Sequence, residues 1–223
     1  MLVLETKPMD ELIEQTLNFN SLLIVGCNGC TSVMQVSGGR QAETVKNLLE
    51  TVFKLKGKTV KLYALGLERQ CCNRLVRNAL TPYIENYEGI LSLACGSGVQ
   101  TVASVFEDKP VIAGSNTKFI GSHDRERSIH LEFCKACGDC LLNETGGICP
   151  VTRCAKGLLN GPCGGFSDGK CEASQWKRDC AWVLIFNRLK KFNKLDSFIK
   201  FRPPRDYRVT QTPREILEGE AFV

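Results

Sequence analysis

Ser21-Leu-Leu-Ile-Val-Gly26-Cys27-Asn28-Gly29-Cys30 is the stretch on which the reading of this chain turns. Ser21–Val25 is a short apolar run stopped by Gly26, the pattern of a strand, and a Cys-x2-Cys pair follows at once. The same order recurs downstream. Thr59–Leu65 reads as a strand ending at Gly66, and Ile90–Ala94 as a strand of the buried type. A last short strand, Val111–Ala113, follows Pro110. Between them lie helical periods. Pro8–Leu17 carries Met9, Leu12, Ile13 and Leu17 on one side, and Gln41–Leu55 carries Val45, Leu48, Leu49 and Val52 and ends at Gly57. Asn73–Tyr87 reads as a helix interrupted near Pro82, and Val99–Phe106 as another. Strands alternating with such helices indicate βαβ units and a parallel sheet, a Rossmann- or flavodoxin-like domain over residues 1–121.

On that scheme the cysteines fall into place. Cys27 and Cys30 follow the first strand, Cys71 and Cys72 the second, Cys95 the third. Loops at the C-terminal ends of parallel strands are where open α/β sheets bind ligands, so residues remote in sequence converge there. Four thiolates at that edge suit a [4Fe–4S] cluster or a zinc ion. No GxGxxG and no GxxxxGK[ST] occurs; Gly96-Ser97-Gly98 opens a helix and reads as a tight turn.

From residue 122 the composition changes. Apolar periodicity fades, and Cys and Gly dominate to residue 171. A loop-rich region of this kind, residues 122–223, needs a staple, and metal supplies one. Ser174–Phe192 is expected to form a helix, with Trp176, Cys180, Val183, Leu184 and Phe186 covering the metal region. After Leu195 a tail with Pro203-Pro204 and Pro213 follows, expected to strap over a partner or over its own domain.

Thirteen cysteines in 223 residues need a cause. The N-terminus, MLVLETKPMDELIEQ, lacks a basic region followed by an apolar one and is not a secretory signal, so the chain is expected in the cytoplasm, where thiols stay reduced. No run reaches the ~18 apolar residues of a membrane span. An odd number also fits full disulfide pairing poorly. Cys134-x2-Cys137-x2-Cys140 is the three-cysteine run of a ferredoxin-type cluster, and Cys149-Pro150 is like the end of that motif, but at x8 rather than x3. Cys154, Cys163, Cys171 and Cys180 bring this stretch to eight thiolates, enough for two four-ligand sites. Zinc at one of them is the alternative, although a pure zinc reading asks for two separate CxxC pairs.

The remaining signals exclude more than they assign. His123 and His130 are expected at the surface or hydrogen-bonded rather than as ligands. No HExxH, Ser–His–Asp order or paired carboxylates stand out. The net charge of +5 lies mostly in the second half. Arg188, Lys190, Lys191 and Lys194 and the cluster Lys200, Arg202, Arg205 read as solvated surface rather than a nucleic-acid face.

The stretches Cys134-Lys-Ala-Cys137-Gly-Asp-Cys140, Gly-Gly-Ile-Cys149-Pro, Cys154 to Cys163-Gly-Gly, Gly169-Lys-Cys171-Glu and Cys180-Ala-Trp closely resemble the methylenetetrahydrofolate reductase C-terminal domain family. Gly26-Cys27-x2-Cys30, Gly38-Gly39, Arg69-Gln70-Cys71, Ala94-Cys95-Gly-x-Gly98-Val-Gln and Asn116-Thr117 resemble its MetV-type small subunits. The sequence departs from many relatives at Met34, where a further cysteine often stands, while Cys72 is extra. Cys71 fits the Arg-Gln-Cys pattern and is taken as the fourth N-terminal ligand.

The resemblance implies an iron–sulfur subunit with two or more [4Fe–4S] clusters. Their ligands would come from Cys27, Cys30, Cys71 and Cys95, and from Cys134, Cys137, Cys140, Cys149, Cys154, Cys163, Cys171 and Cys180. Such a chain passes electrons to FMN on a MetF-type catalytic partner, and a further subunit can supply them. The partner reduces 5,10-methylenetetrahydrofolate to 5-methyltetrahydrofolate. The competing class is a zinc-stabilised adaptor or nucleic-acid-binding module without redox activity.

Overall fold

The computed structural model describes residues 1–216 and divides the chain into two compact units, residues 1–119 and 120–223. The first begins with β1 (Leu2–Thr6), α1 (Met9–Thr16) and β2 (Ser21–Cys27). It continues through α2 (Gly39–Leu55), β3 (Lys61–Leu67), α3 (Asn73–Ile84), β4 (Gly89–Ser92), α4 (Gly96–Val105) and β5 (Val111–Ala113). The four strands β3-β2-β4-β5 pair in that order, all parallel.

The expected parallel sheet is therefore present, in the doubly wound arrangement. Leu22–Val25 have no exposed surface because helices cover both faces of β2. Alternation along the strand divides them. Leu23 and Val25 pack with Val76, Leu80, Ile84 and Val102 of α3 and α4; Ile24 packs with Leu12 of α1 and Ala42, Val45, Leu49 and Phe53 of α2. Burying each such side chain contributes about 1.5–3 kcal/mol. The chain leaves β2 for one neighbour and later returns to pair β4 on its other side. The crevice between β2 and β4 is therefore the switch point of the sheet.

Pro82 does not interrupt α3, contrary to expectation. It sits near the C-terminal end, and Asn78, whose carbonyl loses its i+4 partner, is exposed to solvent. Strand β1 carried no clear signal in the sequence.

Strand β6 (Ser115–Asp124) carries the chain into the second unit, where its last part pairs antiparallel with β7 (Ile129–Cys134). This hairpin was not foreseen: Ile129-His-Leu-Glu-Phe133 of β7 alternates apolar and polar residues, but β6 shows no such period, so no pair of strands stood out. Beyond it come α5 (Pro150–Arg153), α6 (Ala181–Lys191) and α7 (Asp196–Ile199), joined by long loops. The helix expected from Ser174 starts only at Ala181, since Gln175 and Trp176 take left-handed backbone angles of 54° and 55° that no helix continues. Trp176 is exposed rather than covering anything; Trp182, on α6, is the tryptophan that builds the core. With Ile148, Cys180, Ile185 and Leu189 it forms a small cluster against which Cys154, Leu158, Cys171 and Phe198 pack. Among the described residues no helix is long and apolar enough to cross a membrane.

Candidate metal centre

Cys27 is the last residue of β2, and its register partner on β3 is Leu67. Val25, two residues earlier, is level with Ser92 at the end of β4. The loops that carry Cys27 and Cys30, Cys71, and Cys95 thus leave one edge of the sheet. Cys27 and Cys95 are buried, whereas Cys30 and Cys71 are exposed. Burial pushes the Cys71 thiol up, and the charges of Cys27, Cys95 and Cys30 push it the same way. The thiols expected to share a site are therefore near enough to feel one another. Cys72 is the N-cap residue of α3 and lines the cleft beside Cys71.

The sequence around these thiols holds the loops close. A Cβ on Gly26 would lie 2.4 Å from the Gly38 carbonyl oxygen, so only glycine lets β2 pass the start of α2 so closely. Asn28 accepts from the Gly39 amide at 2.9 Å, and its own amide donates to Leu67 at 2.7 Å. Gln70 is fully buried. Its Nε2 donates to the Val25 carbonyl at 3.0 Å and its Oε1 accepts from Ser92 Oγ at 2.6 Å, pinning the residue next to Cys71 across β2 and β4. Thr117 Oγ1 accepts from the Gly96 amide at 2.9 Å and fixes the turn after Cys95.

α2, α3 and α4 all begin at this edge, with Gly38, Cys72 and Cys95 as N-cap residues. Their positive ends favour anions there, thiolates included. Beside Cys71, an open polar cleft of about 830 Å³ is lined by Cys72, Arg77, Ser97 and Gln100 among others, so that side of the site is reached by water.

In the second unit the first cysteine loop turns on Ala136 and Gly138, at φ 50° and 79°. The Ala136 amide donates to Cys134 Sγ at 3.3 Å. Burial acts upward on the Cys137 thiol, but a hydrogen bond from Arg205, one with the Asp139 backbone and the Arg205 charge bring it below its ordinary value. Cys154, Cys171 and Cys180 border the Trp182 core. Cys171 and Cys180 are brought together by backbone bonds: the Cys171 amide to the Arg178 carbonyl, and the Cys180 amide to the Gly169 carbonyl at 2.7 Å. Cys163 is exposed, 3.7 Å from Glu172 Oε1, and Cys140 is exposed as well. Cys149 is the N-cap residue of α5.

All thirteen cysteines are free. Among the described residues no three His, Cys, Asp or Glu side chains stand as the ligands of a single ion. Thiols on loops beside helix N-termini are a donor set that could hold a thiolate-ligated metal group, whose negative charge the helix ends would offset. His123 and His130 face each other across the hairpin with rings stacked at 4.4 Å. The hydrogen bonds expected of them are not all made, since His123 Nδ1 and His130 Nε2 are buried without a partner.

Sequence reading missed Gln70, Trp182 and Arg205 as supports. Gln70 had a signal in the Arg-Gln-Cys pattern and Trp182 in Cys180-Ala-Trp; Arg205 had none beyond residue type. Arg202 and Arg205, read as solvated surface on a tail expected to strap over a partner or over its own domain, are engaged within their own unit. Arg202 donates to Glu144 Oε2 at 2.7 Å and exchanges bonds with Asn160 at 2.8 and 3.0 Å. Ile199, Phe201 and Tyr207 stay exposed. The last seven residues of the expected docking tail, 217–223, lie outside the described residues.

Residues 112–208 match the family described as methylene-tetrahydrofolate reductase C terminal, so the relation read from the cysteine motifs holds at family level for this segment. No curated protein and no solved structure matches the chain.

Proposed function

We propose that this chain is the iron–sulfur electron-transfer subunit of a methylenetetrahydrofolate reductase, passing electrons to the flavin of a MetF-type partner. The observation that carries the reading is the family match over residues 112–208, which contains eight of the thirteen cysteines. The sheet edge supports it independently: Cys27, Cys30, Cys71 and Cys95 lie on loops leaving neighbouring parallel strands, and three of them act on the fourth.

In this reading those four hold one cluster, and Cys134, Cys137, Cys140, Cys149, Cys154, Cys163, Cys171 and Cys180 hold the others. A bound [4Fe–4S] cluster supplies single-electron carriage. The chain's own residues do the positioning. Gln70 and Gly26 set the spacing of the loops, and the starts of α2, α3 and α4 compensate negative charge. Reduction of 5,10-methylenetetrahydrofolate to 5-methyltetrahydrofolate consumes two electrons and two protons, and the partner's flavin would supply the hydride chemistry when bound. No flavin, nicotinamide or folate motif was found here, which fits a conduit rather than the seat of hydride chemistry.

The test is anaerobic co-expression with a MetF-type flavoprotein. Brown protein with iron and sulfide in cluster ratio, co-purification, and flavin reduction that requires this chain are the expected results. Colourless protein with stoichiometric zinc overturns the reading and leaves the adaptor.

A further inference from the structure

After α7 the chain runs back over the first cysteine loop of its own unit. Arg202, 6% exposed, anchors it to Glu144, Leu159 and Asn160. Farther on, the Val209 carbonyl oxygen lies 3.2 Å from where a Cβ on Gly138 would stand, and Arg214 Nη1 donates to the Ala136 carbonyl at 2.8 Å. Between these points the Arg205 side chain, also 6% exposed, turns inward. Its Nη2 donates to the Asp139 carbonyl at 2.8 Å and to Cys137 Sγ at 3.3 Å, and its Nε lies 3.6 Å from Asp139 Oδ2. A cavity of about 300 Å³ under this segment is lined by Cys137, Leu159, Arg205, Tyr207 and Arg214 among others.

A guanidinium is a costly thing to bury unless its donors are used, and here one of them is spent on a sulfur. Resting on the cluster reading above, we infer that Arg205 is a positioning residue for the centre held by the Cys134–Cys140 loop: its hydrogen bond to Cys137 Sγ orients that ligand and raises the reduction potential. Reduction adds negative charge to a centre already surrounded by thiolates. A cationic donor on one ligand sulfur stabilises the reduced form more than the oxidised one, so the midpoint rises. A lysine at this place keeps the charge but loses the fork that serves Asp139 and Cys137 together. Arg214 holds the same loop through a backbone carbonyl and touches no sulfur, so it separates shielding from donation.

The experiment uses the full chain purified anaerobically, with iron determined first and then an EPR-monitored titration with dithionite. Wild-type protein without iron means that the cluster reading itself has failed. With iron present, Arg205→Ala is expected to keep its iron and shift one component to a more negative midpoint. The other components stay, Arg205→Lys falls between, and Arg214→Ala matches wild type. If Arg205→Ala loses iron while Arg205→Lys retains it and shifts in the same direction, the inference stands. Loaded variants with every midpoint unmoved, an equal shift in Arg214→Ala, or loss of iron in both Arg205 variants overturns it.

Discussion

Ser92 donates its hydroxyl to Gln70 Oε1 across 2.6 Å, and neither side chain has any exposed surface. Removing one partner leaves the other buried and unpaired, which costs about 1–3 kcal/mol. Gln70→Leu is therefore expected to lower stability by that amount in chemical denaturation. Because two apolar groups of similar shape are nearly neutral, adding Ser92→Ala should recover part of the loss. A double variant that is additive or worse contradicts the coupling.

Cys95→Ser should lower iron content and change the reduced-state EPR spectrum, because Cys95 is one of the thiols acting on Cys71. Cys72→Ser should do neither, since Cys72 is the N-cap residue of α3 and Cys71 is taken as the fourth ligand. Iron analysis of both variants decides whether the fourth ligand is Cys71 or its neighbour.

Trp182 is 1% exposed, and its Nε1 donates to the Leu158 carbonyl at 3.0 Å. Trp182→Ala removes the centre of the second unit's core, a change that costs about 3–5 kcal/mol. Limited proteolysis should then cut within residues 134–180 while fragments of the first unit persist. Chelated wild-type protein should be cut there as well, because the region buries little apolar surface of its own. Equal resistance with and without metal would mean that packing suffices.

Ile199 and Phe201 are 79% and 74% exposed, large apolar side chains next to a segment pinned by Arg202. Ile199→Asp with Phe201→Asp should abolish co-purification with the flavoprotein partner and leave iron content unchanged. Truncation after Asp196 is a poorer test, since it also removes Arg202 and Arg205 from their own unit. Full co-purification of the double variant would move the dock to the sheet edge.

Glu88 accepts from the Asn20 amide at 2.7 Å and from Asn20 Nδ2 at 3.2 Å, and these bonds hold its carboxyl below the ordinary value of 4.5. A depressed carboxylate stabilises the fold above the unfolded-chain value, and the contribution is lost as pH falls through the folded one. Urea unfolding of the wild type should therefore weaken on acidification below about pH 4.5 more than that of Glu88→Gln. Parallel curves for the two proteins would exclude Glu88 as a source of the acid sensitivity.

By itself the sequence determined the elements of the parallel sheet and the cysteines at their ends. Those signals are local: a short apolar run, a glycine stop, a helical period and a two-residue spacing are each set within a few neighbouring residues. The same locality misplaced the start of α6, where backbone angles at Gln175 and Trp176 outweigh side-chain pattern, and left the hairpin unread, since only its second strand, Ile129–Cys134, alternates while Ser115–Asp124 does not. Only the tertiary structure decided that β2 lies between β3 and β4, so that Gln70 reaches two strands at once. It likewise set Arg205 against Cys137, 68 residues away in the chain. A buried polar group takes whatever partner the packed fold brings to it, and no pattern along the chain records which one that is.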